Sequence, residues 1–121
     1  MSLPRIYLAG GKDSAWKENL STRWKDKATL IDPFRDSRQG ALYLFTYDDL
    51  QYIRECDIVL GYCTYPKFDG MALDWGFAHA LGKVLIYVPQ LPRVSSMMAA
   101  ISTAVFTDLD AAAAFIEERY L

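Results

Sequence analysis

Two short runs constrain the fold of this chain more than anything else in it. DIVLGYC (57–63) and KVLIYVP (83–89) each have a charge at the first position and none after it. A strand with one face in water alternates apolar and polar residues. A strand without alternation must be covered on both faces, as at the centre of a parallel sheet. Parallel neighbours need crossovers long enough to hold a helix, and the intervening segments suit that role. RIYLAG (5–10) reads as a strand ending in glycine, ATLIDP (28–33) as a second stopped by Pro33, and AVFTD (104–108) as the last. SAWKENLSTRWKDK (14–27) opens on a candidate N-cap serine and spaces Trp16, Leu20 and Trp24 at helical intervals. TYDDLQYIREC (46–56) puts Tyr47, Leu50 and Ile53 on one helical face. GMALDWGFAHALGK (70–83) reads as a helix capped by Asp69 and closed by Gly82. SSMMAAIS (95–102) and DAAAAFIEERYL (110–121) complete the set. Strand and helix alternate five times, which predicts a three-layer α/β sandwich with a mostly parallel sheet.

The 121 residues suit one domain, 1–121, with one core. Net charge is −2 with Lys and Arg scattered, which argues against a nucleic-acid partner, since that calls for a basic stripe. No apolar run reaches the length of a membrane span. The start, MSLPRIYLAGG, has no long apolar segment of the secretory type, so a cytoplasmic protein is expected. Cys56 and Cys63 flank one apolar run without a CxxC, and there is a single His. Two reduced core thiols, no metal site and no cofactor are expected.

Parallel sheets of this kind bind ligands beyond the carboxyl ends of their strands. After the first strand, AGGKDS places Gly10 and Gly11 before a helix, as a tight turn or as a loop whose N–H groups meet a ligand. Tyr7 lies near that strand end. After the second, DPFRDSRQGALYLF carries Arg35, Asp36 and Arg38, which either meet a phosphate or are simply solvated. After the third, YCTYPKFDG gathers Tyr62, Tyr65, Phe68 and Asp69, rings that stack on a planar heterocycle or bury one another. Asp74 is the anomaly: a carboxylate in an otherwise apolar helix, expensive to keep charged away from water. It needs an internal partner or a function. His79, five residues on, falls on a different face.

The stretches RIYLAGG, TYDDLQYIRECDIVLGYC and FDGMALDWGFAHALGKVLIYVP, in that order, resemble the nucleoside 2-deoxyribosyltransferase family and its deoxynucleoside-hydrolase relatives. The resemblance runs from Arg5 to about Pro89. It implies a flavodoxin-like fold with a five-stranded parallel sheet, assembly as a homo-oligomer, and a nucleoside or nucleotide as the small-molecule partner. It implies attack of a helix carboxylate on the anomeric carbon, departure of the base, and resolution of the glycosyl ester by a second base or by water. The nucleophile falls on Asp74, its tyrosine neighbour on Tyr7, and the acid that handles the leaving base at or beside Asp69, with Phe68 as the alternative position. The glycine turn falls on Gly10 and Gly11, and the Asp of the family's D-L element on Asp49. The chain departs from the pattern by carrying Asp where the family carries Glu, which shortens the reach by about 1.5 Å. PRVSSMMAAIS also offers Ser95 and Ser96 where an Asn is usual.

Three functions are compatible with these residues. One is an enzyme that cleaves or transfers at the N-glycosidic bond of a nucleoside or nucleotide, with Arg35 or Arg38 favouring a phosphorylated substrate. Another is a nucleotide- or nucleobase-binding module without turnover on the same fold. The third is a structural protein in which Asp74 merely pairs internally, with one Arg or Tyr, and Trp75, Phe77, Met97 and Met98 serve a subunit interface.

Overall fold

The structure is a computed structural model and describes residues 2–11, 15–63, 69–90 and 92–121. The uninterrupted apolar runs do become central strands. The element order is β1 (Arg5–Gly10), α1 (Ala15–Arg23), β2 (Thr29–Ile31), α2 (Pro33–Asp36), α3 (Leu42–Glu55), β3 (Ile58–Cys63), α4 (Asp69–Ala80), β4 (Val84–Pro89), α5 (Ser96–Ala100), β5 (Ala104–Val105) and α6 (Leu109–Tyr120). The strands form one parallel sheet in the order β2-β1-β3-β4-β5. The fold class expected from the sequence, a five-stranded flavodoxin-like three-layer α/β sandwich, is the one observed.

Alternation along β1 sorts the layers. Ile6 and Leu8 join Ile58, Leu60, Ile86 and Val88 beneath α1 and α6, where Trp16, Leu20, Trp24, Ala112, Ala113 and Ile116 pack on them. Tyr7 and Ala9 point the other way, joining Val59, Leu85 and Tyr87 beneath α3, α4 and α5. On that side Gly61 matters. A Cβ there would lie 2.3 Å from Met71 Cε and 2.6 Å from a Trp75 ring carbon, so its missing side chain lets α4 approach the sheet. Gly10, at φ +153°, ends β1 so close to β3 that a Cβ would stand 2.4 Å from the Tyr62 carbonyl oxygen.

Three expectations need correction. The connection after β2 is not one long loop. Asp32 caps α2 by accepting from Phe34 N at 3.0 Å, with Pro33 opening the helix, and α3 begins at Leu42, four residues earlier than the apolar spacing implies. On α3 the inward residues are Asp49 and Ile53, with Leu50 partly buried, while Tyr47 is 58 % exposed. Asp69 is the first residue of α4 rather than a cap ahead of it. Gly82 does close α4: at φ +72° its N–H donates to His79 O at 3.0 Å and Lys83 N–H to Ala78 O at 3.1 Å. The N-cap proposed at Ser14 lies outside the described residues.

Candidate active site

Because β1 directs its odd-numbered side chains toward α3 and α4, Tyr7 extends into the space between those helices and the sheet. It is wholly buried. Its hydroxyl donates to Asp74 Oδ2 at 3.3 Å. Asp74 sits in the second turn of α4 and is 9 % exposed. Asp49, from α3, is 7 % exposed and acts on the same hydroxyl. The Asp49 carboxylate accepts from Ser37 Oγ at 2.6 Å, Ser37 being the residue that ends α2. Four elements thus bring Tyr7, Asp74, Asp49 and Ser37 into one buried polar cluster beside the β1/β3 pairing. β1 is flanked there by β2 and β3, so the connections from its end and from β3 leave in different directions, the place where doubly wound sheets hold ligands.

The electrostatics follow from two acids sharing a dry environment. Burial pushes Asp74 up to about 8, the Asp49 charge adds to the rise, and the Tyr7 hydrogen bond opposes it. Burial likewise lifts Asp49 to about 6, opposed chiefly by the hydrogen bond from Ser37. The Tyr7 phenol is driven far above its ordinary value by burial and by both carboxyls. Near neutral pH the pair therefore carries about one negative charge, centred on Asp49, with Asp74 holding a proton. Among the described residues no Lys, Arg or His forms an ion pair with Asp74. Of the two internal partners expected for a structural Asp74, an Arg or a Tyr, the structure supplies Tyr7. Lys17 is held by Asp32 Oδ1 at 2.8 Å and acts on Asp49 only through space.

The fold has solved counterparts. A 2-deoxyribosyltransferase from the psychrotolerant bacterium Bacillus psychrosaccharolyticus superposes with a TM-score of 0.71, at 20 % identity over 88 % of this chain and 88 % of that one. The Clostridium botulinum CMP N-glycosidase BcmB superposes with a TM-score of 0.67, at 20 % identity over 97 % of this chain and 99 % of that one. This chain has their fold. No protein-family model matches its sequence, and no curated protein does.

The structure brings Tyr7, Asp74 and Asp49 together. Gly10 ends β1 and Gly11 follows it, half-buried. Asp69 opens α4, one and a half turns before Asp74, and Phe68 lies outside the described residues. Arg35 is engaged elsewhere: its guanidinium bonds Asp36 at 2.7 Å and the Leu30 carbonyl at 2.9 Å. Arg38 pairs with Asp48 at 2.9 Å. Beyond the ends of β3, β4 and β5 lies a cleft of about 330 Å³ lined by Tyr62, Gln90, Thr107, Asp108, Leu109 and Asp110, with Gln90 donating to the Tyr62 hydroxyl. Ser37 was not visible from sequence, since a serine in a polar connection carries no signal of its own. Among the described residues no three His, Cys, Asp or Glu side chains are grouped to hold a metal, and no helix is long and apolar enough to cross a membrane.

Proposed function

We propose that this protein cleaves or transfers at the N-glycosidic bond of a nucleoside or nucleotide, with Asp74 as nucleophile. The observation that carries this reading is a buried carboxyl on α4 with no cationic partner among the described residues, hydrogen-bonded by Tyr7 beside the β1/β3 switch point. Two enzymes of the same fold support it: one is a deoxyribosyltransferase, the other an N-glycosidase acting on CMP. Asp74, ionised, attacks the anomeric carbon. The C–N bond breaks, its electron pair leaves with the base, and an acid at Asp69 supplies the proton the base needs. Water or a second base then opens the glycosyl ester. The developing positive charge on the sugar favours the ionised form of Asp74 when the substrate is in place. Gly10 and Gly11 give the sugar a backbone wall without side chains, and Phe68 offers a ring to the base. A 5′-phosphate would compete with Asp36 or Asp48 for Arg35 or Arg38.

Release of free base from a panel of nucleosides and their 5′-monophosphates tests this reading. Base should appear from at least one member, and Asp74→Ala should abolish it. A panel without any base release sinks the proposal. One observation favours a second reading: an Asp74 held near 8 is mostly neutral at pH 7. A neutral carboxyl both donates and accepts, which suits recognition of a nucleobase edge without turnover. Protection of the fold by a nucleoside or nucleotide, without base release, would select that reading.

Assembly as a homo-oligomer belongs to the same proposal. It is supported by Leu42, Tyr43 and Tyr47 on α3, Leu73 on α4 and Met97 on α5, all at least half exposed. Light scattering on the eluted protein should give a mass above one chain, and a monomer mass would remove this element.

A further inference from the structure

We infer that Ser37 is a positioning residue: its buried hydroxyl fixes the orientation of the Asp49 carboxyl, the second buried acid beside Tyr7 and Asp74. The inference rests on the functional reading above only where turnover is concerned; the Ser37–Asp49 contact itself is a matter of geometry.

The hydroxyl is aimed by a rigid turn. Ser37 is 3 % exposed and ends α2, its own N–H donating to Pro33 O at 3.1 Å. Gln39 Nε2 holds the Ser37 carbonyl at 2.7 Å, and the Tyr52 hydroxyl holds the Asp36 carbonyl at 3.0 Å. At the other end of α2, Asp32 accepts from both Phe34 N and Lys17 Nζ. The short Ser37–Asp49 contact of 2.6 Å is therefore made by a donor that has little freedom to turn away. A buried carboxyl with one oxygen anchored has its other oxygen oriented as well. Alongside it, Tyr7 donates to Asp74 at 3.3 Å.

The charged or titratable groups that face the two acids from the surrounding elements are Tyr7 of β1, Lys17 of α1 and Asp48 of α3, among the described residues. Lys17 is committed to Asp32, and Asp48 to Arg38.

Site-resolved ¹³C titration of the aspartate carboxyls, without substrate, tests the inference. In Ser37→Ala the Asp49 curve should move up by about one pH unit, the size expected for losing a hydrogen bond to a charged group. The Asp49 and Asp74 curves should then draw together. Ser37→Thr should return both toward wild type. In Asp49→Asn the Asp74 midpoint should fall, because its like-charged neighbour is gone. Should Ser37→Ala not fold, Ser37→Cys takes its place, a weak donor of similar volume. An Asp49 curve unmoved in a folded Ser37 variant, or an Asp74 midpoint unmoved in Asp49→Asn, overturns the inference. For an enzyme that releases base, the limbs of its pH profile should converge in Ser37→Ala as the titration curves do. If wild type releases no base while the carboxyl curves shift as described, the functional reading fails and the Ser37 assignment stands.

Discussion

The two faces of the sheet solve the same packing problem with different chemistry. Beneath α1 and α6 the strands present Ile6, Leu8, Ile58, Leu60, Ile86 and Val88 to Trp16, Leu20, Trp24 and Ile116, an apolar interior whose charges stay at the rim. There Glu117 accepts from Arg23 Nε at 2.8 Å and from the Trp24 indole at 2.9 Å. Beneath α3 and α4 the same strands present Tyr7, and the helices answer with Asp74 and Asp49, two acids that burial makes costly. One face is built to be stable. The other gives up stability to hold two carboxyls out of water, which is where a tuned site is expected.

The largest effect should come from the apolar face. Trp24→Ala removes a wholly buried ring and its bond to Glu117. It should cost about 3–5 kcal/mol by chemical denaturation, while leaving the aspartate titration curves where they were. A shift in those curves would mean that the two faces are not independent.

The pH response separates the faces next, because its sign differs between them. Asp74 and Asp49 lie at about 8 and about 6 when folded, above the ordinary value of 3.8. The folded protein thus holds protons that the unfolded chain releases. This contribution is complete below pH ~4, declines as pH rises, and is gone once the pH passes ~8. At ~1.4 kcal/mol for each pH unit between the folded and ordinary values, it amounts to several kcal/mol, the larger share from Asp74, and Asp74→Asn should remove most of it. Glu117 behaves in the opposite sense: its hydrogen bonds with Arg23 hold it below its ordinary value, so its contribution is present above that value and fades as pH falls. Unfolding midpoints of wild type and Asp74→Asn at pH 5 and pH 9 check the sign. Parallel pH dependence in the two proteins would contradict the assignment.

The smallest effect should arise where α4 lies closest to the sheet. Gly61→Ala places a methyl against Met71 and Trp75 and should cost about 1–2 kcal/mol as α4 is pushed outward. Asp74 rides on the same helix, so its titration midpoint should move too. A midpoint unchanged alongside that destabilisation would show that α4 absorbs the strain without moving Asp74.

The strands were legible because central parallel strands have no polar alternation to confuse, and all five start within one residue of where the apolar runs place them. Trp16, Leu20 and Trp24 were legible for a related reason: helical spacing on one buried face. The segment between β2 and α3 was not. Asp32 followed by Pro33 carries an N-cap signature, but the four-residue helix it opens is too short to show a helical period. The start of α3 gave no signal, since Ala41 caps nothing with its side chain and Leu42, Tyr43 and Tyr47 face outward. Asp74 could be singled out because a lone acid on an apolar helix is anomalous wherever it is found. Asp49 entered only by resemblance, and Ser37 not at all. Their proximity is created by the sheet order, which no local window of sequence contains.

Tyr7 and Asp74 stand 67 positions apart in the chain, and the two acids ride on separate helices. No fragment shorter than β1 through α4 can weaken both carboxyls as acids by burying them side by side. A chain still emerging from the ribosome, or one partly degraded, carries two ordinary aspartates with ordinary proton affinities. Whatever reactivity the mature protein has is thereby withheld until the sheet is closed.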